Sequence, residues 1–153
     1  MTPSPALEPG DVLAIHQLLA LYGHYLDDQE FDLLSNVFTP DARVLFAGRD
    51  RLPIEGIDAI VEFFTNAAET LASSAHHVSN IVLRKEHGEV HVKSKFFVPY
   101  TRPGHDVHRW YGGTYDDVAV DTDGGWRIRR RVVTGRWQLT TTDGPVPEHR
   151  RSF

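Results

Sequence analysis

The sequence predicts an α+β fold, with helices first and a curved antiparallel sheet after them, the helices lying on its concave side. Three observations predict it. Apolar residues at helical spacing are confined to the first half of the chain. The second half is built of long segments that alternate in character and are separated by turn signals. A length of 153 residues with 41% hydrophobic content suits one compact domain with a substantial core.

The elements follow in order. Met1 to Gly10 carries three of the nine prolines and reads as a flexible leader. Asp11 is the expected N-cap of the first helix, because its carboxylate can accept unpaired N–H groups of the first turn. Val12, Ile15, Leu18, Leu19, Tyr22, Tyr25 and Leu26 then recur at helical spacing. A second short helix is expected over 31–38, ended by Thr39-Pro40-Asp41, and a strand over 42–47. Gly56 introduces a third helix with Ile57, Ile60, Val61, Phe64, Ala67, Ala68 and Leu71 as its apolar positions. Extended segments follow at 77–85, 89–100, 108–120 and 126–137, with turns at His87-Gly88 and Asp123-Gly124-Gly125. In the second of them Val90, Val92, Ser94, Phe96, Val98 and Tyr100 share one face. The domain is therefore placed at 11–138 and a polar tail at 139–153. There is no internal repeat.

Composition narrows the functional classes. A net charge of −5 and a pI near 5.9 argue against a general nucleic-acid or anionic-membrane surface. The absence of cysteine removes disulfides, thiolate catalysis and zinc–thiolate sites. With no charged-then-apolar leader and no apolar run of membrane length, a cytoplasmic protein is the expectation.

An Asp–His couple is the best chemistry the chain offers. Asp27 falls near the end of the first helix, where the dipole disfavours a carboxylate by about 0.3–1 kcal/mol, so it calls for a partner. A carboxylate that accepts an imidazole N–H fixes the tautomer and makes the other ring nitrogen a better base. His76 and His77 are adjacent in an extended segment, so only one can face a pocket. The remaining histidines are dispersed, which disfavours a metal site. Phe63, Phe64, Phe96 and Trp110 favour an apolar ligand. In the basic run, alternation sends Arg127, Arg129 and Arg131 to one face. Arg130 shares the other with Trp126 and Ile128, from which it could reach an acidic group. His105 and His108 flank a loop between strands.

The joints of this arrangement carry a resemblance. They read Tyr22-Gly-His-Tyr-Leu-Asp27 with Phe31-Asp32, then Phe38-Thr-Pro-Asp41-Ala42 and Gly56. His76-His77-Val-Ser-Asn80, Gly112-Gly113-Thr-Tyr115-Asp116-Asp117 and Gly125-Trp126-Arg-Ile128 complete them. Over roughly residues 10 to 137 the chain resembles the SnoaL-like and scytalone dehydratase-like group of the nuclear-transport-factor-2-like superfamily. The resemblance implies a cone: a strongly curved, mixed sheet wrapped around a pocket and closed by about three helices. It also implies a site of Tyr22, Asp27, His77 and Tyr100, with His77 the pocket-facing member of its pair. Tyr100 is a departure, since scytalone dehydratase has a second histidine there, and a tyrosine is a poor base near neutral pH. Tyr115, Phe64, Phe96, Trp110, Arg130 and His108 are the expected substrate contacts.

The function so implied is a cofactor-independent lyase or isomerase, of dehydratase or cyclase type. It would act by Asp–His acid–base chemistry on a hydrophobic carbonyl compound such as a polyketide, terpenoid or steroid-like ring. The alternative is a non-catalytic ligand-binding or structural subunit of the same fold, as in β-subunits of ring-hydroxylating oxygenases. A homodimer or higher homo-oligomer built on the outer sheet face is expected by resemblance. No metal, cofactor, nucleic acid or membrane enters either reading.

Overall fold

The computed structural model describes residues 7–50, 52–104 and 107–142. The expected leader and tail lie largely outside them. Helix α1 runs Pro9–Asp27, with Glu8 rather than Asp11 at the N-cap position. Proline suits the first helical turn, where its missing N–H has no partner to lose. Asp11 lies in that turn instead, and its Oδ1 accepts a 3.0 Å hydrogen bond from Trp126 Nε1, which ties α1 to the last strand.

The expected second helix is a 3-10 helix over Phe31–Asn36, and Thr39-Pro40-Asp41 lie inside strand β1 (Phe38–Phe46). The chain joins the sheet early because the Val37 carbonyl accepts the Ile128 N–H at 2.8 Å. Pro40 falls where the pairing slips between Phe38 and Arg43, a position that needs no regular ladder hydrogen bond. A two-residue strand β2 (Ile54–Glu55) follows, then α2 (Ile57–Ala68). Gly56 opens α2 at φ 86° and ψ 152°, a region open essentially to glycine alone.

The rest is sheet: β3 (Ser73–Ser74), β4 (His77–Glu86), β5 (Glu89–Thr101), β6 (Val107–Thr122) and β7 (Gly125–Thr142). His87 and Gly88 both take positive φ, 50° and 85°, as a two-residue hairpin turn between right-twisted strands requires. β7 runs past the expected domain end at 138.

The strand order is β2-β1-β7-β6-β5-β3, with β4 also on β5; β1 and β7 are parallel and every other pair is antiparallel. Bulges bend it in β4, between Ser79 and Val82, and at two places in the β6–β7 ladder, each adding local twist. The result is the expected α+β fold, a curled mixed sheet with helices against it. α1 packs on β4 and β7, and α2 on β1. Ile15, Leu19, Leu34, Ile60, Val90 and Ile128 are fully buried between the layers. No helix among the described residues is long and apolar enough to cross a membrane.

Candidate active site

Asp27, at the last turn of α1, is the hub of a compact polar cluster. Its Oδ1 accepts a 2.8 Å bond from Ser74 Oγ and lies 2.6 Å from His76 Nδ1, and its Oδ2 accepts the His76 backbone N–H at 2.6 Å. Burial alone would raise the Asp27 pKa. The hydrogen bonds from His76 and Ser74, with the His76 charge, outweigh it, so the carboxyl is held below its ordinary 3.8. An ionised Asp27 can only accept, so Nδ1 carries the proton that faces it, and in a neutral ring Nε2 is the nitrogen left able to accept one.

The partner of Asp27 is thus His76, where His77 had been expected. Strand register decides it. Ser74 pairs with Tyr100 and His77 with Phe97, so His76 sits opposite Val98, whose side chain is buried inside the cone. His77 points to the convex face, exposed, with its ring 6.0 Å from Phe97. Gly23 makes the approach possible: a Cβ there would meet the His76 carbonyl oxygen at 3.0 Å.

His76 is a wall between two cavities of about 260 Å³ each. One is a groove between α1 and β4 that also takes in His16, His24, Asp27 and His77. The other opens at the mouth of the cone, where Ser74, Tyr100, Tyr111 and Gln138 share the lining with His76. Tyr100 therefore stands with His76 in one cavity. His108 and Trp110 line a neighbouring cleft that shares Ser74 and Tyr100 with the mouth. His105 lies outside the described residues.

Tyr22, Phe64, Phe96 and Tyr115 form a packed floor beneath His76. The Tyr22 ring meets those of Phe64, His76 and Tyr115 edge-on at 6.1, 6.1 and 5.8 Å, and Phe96 stacks on Tyr115 at 4.5 Å. Burial pushes both phenols above their ordinary range, with Arg131 drawing Tyr22 part of the way back. Both hydroxyls stay protonated. Tyr22 and Tyr115 thus support the histidine from below and line neither of its cavities.

At the centre of the floor is a residue that alternation assigned to the outer face. Arg131, with no exposed surface, makes a bidentate pair with Asp117, Nε–Oδ1 2.8 Å and Nη2–Oδ2 2.7 Å. Its guanidinium lies between the rings of Tyr22 and Tyr115, 4.1 and 4.2 Å from their centres. Burial would favour the neutral guanidine, but Asp117 holds Arg131 more firmly protonated than usual. Burial pushes the Asp117 carboxyl up, and Arg131 offsets part of that. The forked geometry and the strength of the guanidinium as a base favour the ion pair. Arg130, the expected inward residue, is exposed. The cause is the bulge at Arg129: Ile128 pairs with Ala119 and Arg130 with Val118, so the extra residue reverses the alternation. Among the described residues, no group of three or more His, Asp or Glu side chains is arranged to hold a metal ion.

Comparison with known proteins agrees with this architecture. The SnoaL-like domain profile matches residues 9–132. An uncharacterized protein of Mycobacterium tuberculosis H37Rv is 33% identical over 136 residues, covering 86% of this chain and 89% of its own length, as is one from Mycobacterium bovis. Among solved structures, a candidate scytalone dehydratase from Novosphingobium aromaticivorans superposes with a TM-score of 0.76 at 23% identity, covering 89% of each chain. A hexachlorocyclohexane dehydrochlorinase, LinA type 2, does so with 0.78 at 14% identity, covering 92% of this chain and 99% of its own. These two likenesses are of fold. By a profile match that spans most of its length, the chain belongs to the SnoaL-like family.

Proposed function

We propose that the protein is a cofactor-independent lyase or isomerase whose base is His76, polarised by Asp27, acting on a hydrophobic carbonyl compound of polyketide, terpenoid or steroid-like type. The observation that carries this reading is the 2.6 Å Nδ1–Oδ1 contact on a histidine that lines a cavity with hydroxyl and amide donors. Nε2 removes a proton from the carbon next to the carbonyl. Tyr100, Tyr111 and Gln138 can donate to the oxygen as it gains charge, and donors aimed at developing charge supply much of the rate. In a substrate with a β-hydroxyl, protonated His76 returns the proton to that oxygen and water leaves. Without a leaving group, reprotonation at another carbon gives isomerisation, and attack on an internal carbonyl gives cyclisation. The family membership and the dehydratase- and dehydrochlorinase-like fold neighbours support this class of chemistry.

The test needs no knowledge of the substrate. Cyclic ketones such as 2-tetralone are incubated with the protein in D2O, and exchange of the protons next to the carbonyl is followed by NMR. Wild type should accelerate exchange and His76→Gln should not; equal rates for the two would remove His76 as the base.

One observation favours a second reading, a non-catalytic subunit. Trp110, Trp137 and Leu139 are 39%, 48% and 51% exposed on the convex face beside Phe97, an apolar patch of the kind that marks an interface. That reading predicts no exchange with any ketone.

A further inference from the structure

The mouth cavity carries a charge pattern that proton abstraction does not use. Arg49, from the turn after β1, and Arg102, from the loop after β5, both contribute to its lining. Among the described residues no carboxylate does: Asp27 stands behind His76 and lines the α1–β4 groove. Neither arginine makes an ion pair among the described residues, which is also true of Arg109, Arg127, Arg130 and Arg136; the feature that matters is that these two share one opening. On a chain of net charge −5, two unmatched guanidiniums at one opening run against the general field. The Arg49 guanidinium lies over the Phe46 ring, 5.6 Å from its centre. Such a contact holds one face of the group and leaves its N–H edge available to a carboxylate.

Resting on the base proposed above, we propose that the substrate is an anion: a carbonyl compound bearing a carboxylate, held at the mouth by Arg49 and Arg102 while its apolar part reaches toward His76. The acid group sits at the wet end, where it stays partly solvated, and its attraction to the arginines orients the reacting carbon inward. A second effect follows from the geometry. Charges at an open rim act over several ångströms and steer an anionic ligand during approach, an effect that salt weakens.

Two probes of the same shape separate charge from fit: 2-naphthoate and neutral 2-naphthamide, each titrated into the full-length protein and followed by amide NMR shifts at low and high salt. The acid should bind about tenfold more tightly than the amide at low salt. The preference should shrink at high salt and disappear in the Arg49→Gln/Arg102→Gln variant. It should survive His76→Gln, which removes the other lining group able to carry positive charge. Equal affinities, absence of binding by both probes, a preference that persists in the double arginine variant, or one lost with His76 would each overturn the proposal. The two readings fail separately. A preference for the acid without ketone exchange would keep the anion site and remove the base; exchange without a preference would do the reverse.

Discussion

Asp27 takes three hydrogen bonds from the segment that follows α2, two of them from His76 alone. It is therefore a structural clamp as well as the group that sets the histidine's tautomer. Its pKa is lowered in the folded state. The paired carboxylate thus contributes stability that is fully present above the ordinary value of 3.8 and is lost as pH falls through the lower folded value. Asp27→Asn should be less stable than wild type at neutral pH, with the gap closing only below pH 3.8; urea melts across that range would show it. His76→Gln should lower turnover by about 10²–10⁴-fold, as loss of a general base does, and His77→Ala should change it little. Equal losses from both would deny the assignment. Asp27 was legible in the sequence because a carboxylate at a helix C-terminus calls for a partner. The histidine was not, because strand parity depends on a bulge. The ladder set by the His87-Gly88 turn would place His77 opposite Val98; the extra residue between Ser79 and Val82, with Asn80 at φ 52°, shifts it by one and brings His76 inside.

The same kind of irregularity governs β7. Trp126 and Ile128 are buried on one parity, Arg131 and Val133 on the other, and the bulge at Arg129 joins the two. The parity change was visible in the apolar positions, and Asp117, between Tyr115 and Ala119 on one face, was the matching sign in β6. Reading Arg127 to Arg131 as an unbroken strand missed both. The pair these irregularities create is sensitive to one-sided change. Arg131→Met leaves an unmatched buried carboxylate and should cost about 3–5 kcal/mol. Arg131→Met with Asp117→Leu should recover most of that loss. Denaturant titrations of the two variants give the comparison, and a double variant as unstable as the single one would mean that the guanidinium's ring contacts, not charge matching, hold the floor together.

Across the whole molecule, the cone separates two surfaces with different chemistry. Its mouth gathers His76, Tyr100 and two arginines, while its convex side presents Trp110, Trp137 and Leu139. We infer from that convex apolar patch that a second copy of the chain covers it. Trp137→Asp should lower the mass measured by sedimentation, and an unchanged mass would place any interface elsewhere. The fold itself was legible from the switch in periodicity and the turn residues, because both are local signals. The division of cavity from floor was not, since it depends on how the bulged strands of the sheet curl toward each other. That is why Tyr22 and Tyr115, reasonable pocket residues by position, prove to be packed around Arg131.

The 2.6 Å contact with Asp27 puts the proton of a neutral His76 on Nδ1 and leaves Nε2 bare. Long-range ¹H–¹⁵N correlation of the imidazole nitrogens, in wild type and in Asp27→Asn, measures this directly. Wild type should show a protonated Nδ1 and an unprotonated Nε2, with that preference lost in the variant. A His76 that carries its proton on Nε2, or whose tautomer does not respond to Asp27→Asn, would remove Asp27 as the group that orients the ring.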